Sequence, residues 1–100
     1  AFDFRSLREI GTFKYDHNYC LDAYDGSLRF AALLQAAESG IAMECRTTQP
    51  GIQVYTGGKK AIALETQHFP DGPNHPEWAS AALFPGETYR ETTVYRFFLK

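Results

Sequence analysis

With 100 residues, 44% of them hydrophobic and 22% charged, the chain is sized for one domain with a single core and excludes a two-domain enzyme. Twelve acidic against ten basic side chains leave a formal charge of −2, and no basic face marks a nucleic-acid partner. No stretch approaches the ~20 consecutive apolar residues of a membrane helix, and Ala1-Phe2-Asp3-Phe4-Arg5 has neither the basic start nor the apolar run of a signal peptide. The expectation is a soluble chain with no membrane and no nucleic acid among its partners. Its first residue is Ala rather than Met, which points to processing or truncation.

Fifteen aromatic residues among scattered Thr and Val, punctuated by Gly and Pro, favour strands, because such side chains fit a pleated, half-buried surface. Tyr15 to Leu21 alternates, with Tyr15, His17, Tyr19 and Leu21 on one face and Asp16 and Asn18 on the other. Asp25-Gly26 supplies a turn, since Gly accepts the positive φ that other residues resist. Two readings then compete for residues 28–48. Leu28 to Ser39 is rich in good helix formers and ends before Gly40, yet such a helix would be apolar all round and would need complete burial. Folded instead as a two-residue hairpin about Ser39-Gly40, the segment pairs Glu38 with Ile41, Ala36 with Met43, Leu34 with Cys45 and Ala32 with Thr47 on an apolar face. Its other face pairs Gln35 with Glu44 and Leu33 with Arg46. That register favours the hairpin.

After Gln49-Pro50, Ile52, Val54 and Thr56 alternate with Gln53 and Tyr55, and Gly57-Gly58 ends the run. Lys59-Lys60 reads as a solvated loop tip. In Ala61 to Phe69, Ile62 and Leu64 take the core side and Ala63, Glu65 and Gln67 the opposite one. Three prolines between Pro70 and Pro76 remove donors and fix φ, which predicts a loop without regular structure. Pro85-Gly86 marks the last turn. Tyr89 to Leu99 then alternates as the longest strand. Cys20 and Cys45 could form one disulfide, but in apolar-alternating segments without metal or redox spacing they are expected to be buried free thiols, in keeping with a reducing, cytoplasmic compartment.

Asp16 and Asn18, Gln53 and Tyr55, and Glu65 and Gln67 thus stand on strand faces with apolar backs. A carboxylate, amides and an aromatic ring suit sugar hydroxyls and the flat C–H face of a sugar ring. Taken singly, each carboxylate also fits an ordinary solvent-facing strand. No two of His17, His68 and His75 have metal spacing, no metal site is expected, and none of Ser27, Ser39 and Ser80 sits in a nucleophile elbow. Gly57-Gly58 lacks the pattern of a phosphate cradle.

Tyr15-Asp16-His17-Asn18-Tyr19, Pro50-Gly51-Ile52-Gln53-Val54-Tyr55-Thr56-Gly57, Leu64-Glu65-Thr66-Gln67-His68-Phe69-Pro70-Asp71 with Asn74-His75-Pro76, and Pro85-Gly86-Glu87-Thr88-Tyr89 with Thr92-Thr93-Val94-Tyr95 together resemble the aldose 1-epimerase family, the galactose mutarotases. The four motifs stand in the family's order. The resemblance also reaches Phe2-Asp3-Phe4-Arg5 and runs over essentially the whole chain, but over only about the last third of the family's domain. It adds weight to the hairpin. It implies an all-β, antiparallel β-sandwich of the supersandwich type, of which residues 1–100 form a single C-terminal segment. It further implies a hexose substrate, such as galactose or glucose, whose α and β anomers are interconverted without a cofactor.

By the same resemblance Glu65 is the general base that draws the proton from the anomeric hydroxyl, while Asp16 and Gln53 hydrogen-bond sugar hydroxyls. The ring opens, a histidine protonates the ring oxygen, C1 turns about the C1–C2 bond, and reclosure gives the other anomer. The family's acid histidines and its substrate-clamping arginine lie upstream of the matching part, so the acid is expected from outside this chain, in the missing upstream portion of the same sandwich. His17 and His68 do not fill the place, because they alternate away from Asp16 and Glu65. The loop between Gly57 and Ala61 is shorter than the family's, with Gly58 where asparagine is common. A carbohydrate-binding or regulatory module without chemistry, and an independent β domain used for protein interaction, are the other readings of the same residues.

Overall fold

A computed structural model describes residues 1–57 and 61–100. The Gly58 end of the fourth segment and the Lys59-Lys60 loop tip lie outside the described residues. Six strands form: β1 (Asp16–Cys20), β2 (Arg29–Gln35), β3 (Ile41–Thr47), β4 (Gly51–Tyr55), β5 (Ala63–Gln67) and β6 (Thr93–Leu99). They make two three-stranded antiparallel sheets, ordered β1-β4-β5 and β2-β3-β6. The fold is all-β, with two antiparallel sheets of the β-sandwich kind.

Residues 28–48 form the hairpin, not the helix. As strands, Ala32 and Leu34 share a face with Met43 and Cys45, whereas a helix would have left apolar surface on every side. The register, however, differs by two residues from the expected one. Ala32 stands opposite Cys45, Leu33 opposite Glu44, Leu34 opposite Met43 and Gln35 opposite Ala42, with an irregularity between Phe30 and Ala32. The cause is the connection, which spans residues 36–40 rather than two residues. Gly40 takes φ 73°, its N–H donates to the Ala36 carbonyl and the Ala36 N–H to the Ile41 carbonyl, both at 2.9 Å. From Ala32 onward a shift of two leaves the side chains on their expected faces, because the strand period is two, whereas the irregularity turns Phe30 to the face of Arg46.

Strand β6 begins at Thr93 and not at Tyr89, so at seven residues it equals β2 and β3 instead of exceeding them. Its partner β3 ends at Thr47, opposite Thr93, and residues 89–92 have no ladder to join. They anchor the β3–β4 corner instead: the Thr48 N–H donates to the Thr92 carbonyl (3.0 Å) and the Gln49 amide to the Tyr89 hydroxyl (2.8 Å). The proline-rich loop is also more regular than expected. Gly72–Asn74 makes one 3₁₀ turn, which Pro73 tolerates because a helix start needs no N–H there. Pro85-Gly86 turns as expected, with φ 89° at Gly86, whereas at Asp25-Gly26 the chain only bends, Gly26 taking φ 82°, and the turn falls at Asp22-Ala23.

Burial is uneven. Tyr15, Ala42, Cys45 and Ile52 make the apolar core, joined by the polar Thr47 and Gln49. Behind β1, the N-terminal segment lays Phe2, Phe4 and Phe13 edge-on or tilted against Tyr15, and Phe4 also against Tyr19. The Tyr15 hydroxyl donates to the Ala1 carbonyl, and the Arg8 guanidinium lies 3.7 Å over the Phe4 ring. Behind β5 the cover is β6, and between them an open cavity of about 310 Å³ is lined by Met43, Ile62, Leu64, Tyr95 and Phe97. Farther along the same face of β3 and β6, Ile41, Phe97 and Leu99 are exposed, Leu99 to 79%. Both cysteines are free, but only Cys45 is buried; Cys20 is exposed. Burial pushes the Cys45 thiol pKa up. Cys20 differs because its parity places it with Asp16 and Asn18 on the open face of β1.

Candidate functional site

Directly opposed residues of an antiparallel pair share a face, as do alternate residues along a strand. The register therefore builds three rows on one face of the β1-β4-β5 sheet: Asp16–Tyr55–Ala63, Asn18–Gln53–Glu65 and Cys20–Gly51–Gln67. All six polar residues expected on strand fronts meet on this one face. The amides then tie the rows diagonally. The Gln53 amide donates to an Asp16 carboxylate oxygen at 2.8 Å, and the Gln67 amide donates to the Gln53 carbonyl at 2.9 Å and to the Asn18 carbonyl at 3.0 Å.

The network fixes each group's polarity. With its N–H₂ turned to Asp16, Gln53 must present its carbonyl to Gln67, and Gln67 uses both amide hydrogens. Acceptor capacity is left over: the Asp16 carboxylate retains lone pairs toward solvent, and the Glu65 carboxylate accepts no hydrogen bond from the described residues. Glu65 is exposed, at the centre of β5 and opposite Gln53. Two carboxylates and two amide carbonyls on one strand face form an acceptor-rich surface suited to hydroxyl donors.

Two glycines open space on this face. A Cβ on Gly51 would come within 2.6 Å of Asn18 Oδ1 and 3.0 Å of the Phe69 ring, and one on Gly57 would collide with the Tyr55 hydroxyl. Gly51 thus lets the Asn18 amide and an aromatic ring close over the third row. The Phe69 ring leads into the proline-rich loop, where it meets Trp78 edge-on at 5.6 Å, and Trp78 stacks on His75 at 3.8 Å. His75 lies between the Glu77 and Asp71 carboxylates at 3.0 and 3.2 Å. The Asn74 amide and then His75 hold the Asp71 carboxyl below its usual range. The close approach at Gly51 and the stacking of this aromatic flank are not legible in the sequence, where Pro50-Gly51 and the proline loop serve as chain punctuation and as parts of the family's motifs.

Neither His17 nor His68 joins the array. His17 opposes Val54 on the back of the sheet, where its ring lies 4.7 Å from that of Phe2, and His68 follows β5 with the opposite parity to Glu65. The three serines named in the sequence are engaged locally: Ser27 donates to Asp25, and Ser39 and Ser80 accept from the Ile41 and Ala82 N–H groups. Among the described residues no group of three or more His, Cys, Asp or Glu could hold a metal ion, and no helix is long and apolar enough to cross a membrane.

The molecule is thus an antiparallel two-sheet protein that presents a carboxylate-and-amide array on one open strand face. Comparison with known proteins places it further. The aldose 1-epimerase family profile matches residues 1–96, and the chain belongs to that family. It is 38% identical to mouse galactose mutarotase and 37% to the human protein, each over 120 aligned positions that take in 97% of this chain and 35% of the relative. Against the Escherichia coli aldose 1-epimerase it is 31% identical over 125 positions, 97% of this chain and 36% of the relative. The chain therefore spans about a third of the length of the curated relatives it matches. The alignments are also longer than the chain, so the relatives carry residues within this stretch that it lacks.

Proposed function

We propose that the chain supplies one sugar-binding wall of an aldose 1-epimerase that interconverts the α and β anomers of a hexose such as galactose or glucose, and that residues 1–100 are the C-terminal segment of its β-sandwich domain. The observation that carries this is the hydrogen-bonded Asp16–Gln53–Gln67–Asn18 array beside the unpartnered Glu65 carboxylate, on one face of three strands. Asp16 and Gln53 receive sugar hydroxyls on their spare lone pairs, which orients the ring. Glu65, with no protein donor among the described residues, is free to take the anomeric proton as general base. A histidine from outside this chain protonates the ring oxygen, the bond opens, C1 rotates, and the same groups return their protons in reverse.

The exposed strip of Ile41, Phe97 and Leu99 beside the cavity supports a further part of the same sandwich as the partner, since contiguous apolar surface of this kind is normally covered. Family membership supports the reaction, and two free thiols support a reducing cytoplasmic setting. One observation favours a second reading, a sugar-binding module without chemistry: neither His17 nor His68 shares the polar face.

Polarimetry of freshly dissolved α-galactose and α-glucose separates them. A chimera joining the upstream portion of the mouse relative to this chain is expected to speed anomerisation, and Glu65→Gln in it is expected to lower the rate by about 10²–10⁴-fold with sugar binding retained. An inactive chimera that still binds sugar selects the module. A Glu65→Gln rate equal to that of the parent chimera removes Glu65 as the base.

A further inference from the structure

Glu65 sits on a strand with a free side. β4 pairs with β5 on one edge, and no strand pairs with the other among the described residues. Nor does the Glu65 side chain receive any hydrogen bond from the described residues that would steady it. A group that must take and return a proton in a fixed geometry needs its backbone held from elsewhere, because small displacements weaken proton transfer.

The hold comes from behind, across the gap between the sheets. The Tyr95 hydroxyl donates to the carbonyl of Leu64, the residue before Glu65, at 2.9 Å. The Thr93 hydroxyl meets that of Thr66, the residue after Glu65, at 2.7 Å. Thr93 and Tyr95 are two apart on β6 and share a face; Leu64 and Thr66 are two apart on β5 and share the face opposite Glu65. Two side chains of one strand thus grip the two neighbours of a single residue on another. Thr93 is itself braced, since its hydroxyl lies 3.0 Å from that of the fully buried Thr47, which accepts from the Gln49 N–H at 3.1 Å.

We propose that Thr93 and Tyr95 form a two-point clamp that sets the position of Glu65, making them positioning residues for the proton transfer. This rests on the proposed role of Glu65. Because the clamp reaches Glu65 through backbone and hydroxyl contacts on its two neighbours, its loss moves the base without touching the hydroxyl-binding groups Asp16 and Gln53.

The test uses Tyr95→Phe and Thr93→Val, which remove one hydroxyl each, with Thr93→Ser as the conservative rescue and Arg96→Lys, whose parity puts it on the other face of β6, as control. Amide hydrogen exchange on the chain reads the clamp itself. Tyr95→Phe and Thr93→Val are expected to speed exchange in β5 by about 5–10-fold while β2, which neither hydroxyl touches, exchanges as before, and the Ser and Lys variants to match the parent. In the chimera, the first two are expected to lower kcat about tenfold at unchanged KM. Parent-like exchange in β5 for both hydroxyl-free variants overturns the clamp, and so does an unchanged kcat in an active chimera. An equal loss with Thr93→Ser overturns it as well, because packing alone would then explain the effect. A chimera that never anomerises sugar overturns the proposed function, and β5 exchange alone then decides whether Thr93 and Tyr95 hold Glu65.

Discussion

The two sheets are built alike, three antiparallel strands each, and spend their surfaces differently. The β1-β4-β5 sheet packs its back most tightly around Tyr15 and Ile52, both buried, and has an open front of linked carboxylate and amides. The β2-β3-β6 sheet pairs its charges on one face, where Glu44 meets Arg46 at 2.9 Å and Arg96 at 3.7 Å, and leaves Ile41, Phe97 and Leu99 bare on the other. On the first sheet, polar groups are tied to one another and keep acceptors spare for a ligand. On the second, they neutralise each other and leave little to offer. Strand composition alone does not set up the proposed binding face; unspent hydrogen-bonding capacity does.

The sharpest way to break this contrast is to compare one large side chain from each sheet. Tyr15→Ala should remove about 3–5 kcal/mol from the chain's stability, because its ring is surrounded by Phe2, Phe4 and Phe13. Leu99→Ala, at 79% exposure, should change it by less than about 0.5 kcal/mol. Denaturant midpoints at constant m-value measure both, and equal losses would mean that the two backs are equally packed. Next in size, Gly51→Val should cost about 1–3 kcal/mol through the Asn18 and Phe69 contacts. It should also abolish the hydrogen bond from the Gln67 amide to the Asn18 carbonyl, visible as a shifted Gln67 side-chain amide resonance.

A smaller effect is expected from Gln53→Ala, which removes two half-exposed hydrogen bonds. Stability should fall by only about 1 kcal/mol, while sugar affinity in the chimera falls much further, since Asp16 and Gln67 lose their common partner. The least effect belongs to Glu44. Its hydrogen bond from Arg46 holds the carboxyl below its ordinary range, so the folded state prefers the ionised form. The pair's contribution is therefore complete above the ordinary carboxylate range and is lost as pH falls through the lowered pKa. Glu44→Gln should flatten that part of the stability–pH curve slightly, as an exposed pair allows.

Much of the site was legible because period-two alternation assigns faces without knowledge of partners. Asp16, Asn18, Gln53, Tyr55, Glu65 and Gln67 all fell on fronts from that rule alone. What parity cannot assign is which strand lies beside which. The β2–β3 register slipped by two because Gly40 closes a five-residue connection that sequence does not distinguish from a tighter one. The start of β6 was misplaced because alternation continues through Tyr89 and Glu91 after the partner strand has ended. Cys20 was readable, since it shares parity with Asp16 and Asn18, but its residue type outweighed its position. The Thr93–Thr66 and Tyr95–Leu64 contacts were beyond reach, because they join two sheets through residues about thirty positions apart, and nothing in either strand's pattern announces the other.

The most direct test of the central claim is an NMR titration of the isotope-labelled chimera with galactose, mapping shift changes on both sheets. Changes gathered at Asp16, Asn18, Gln53, Glu65 and Gln67, with Glu44, Arg46 and Arg96 unmoved, are the predicted result. Saturable changes that fall on the β2-β3-β6 sheet instead, with the Asp16–Gln53–Gln67 array silent, would contradict it.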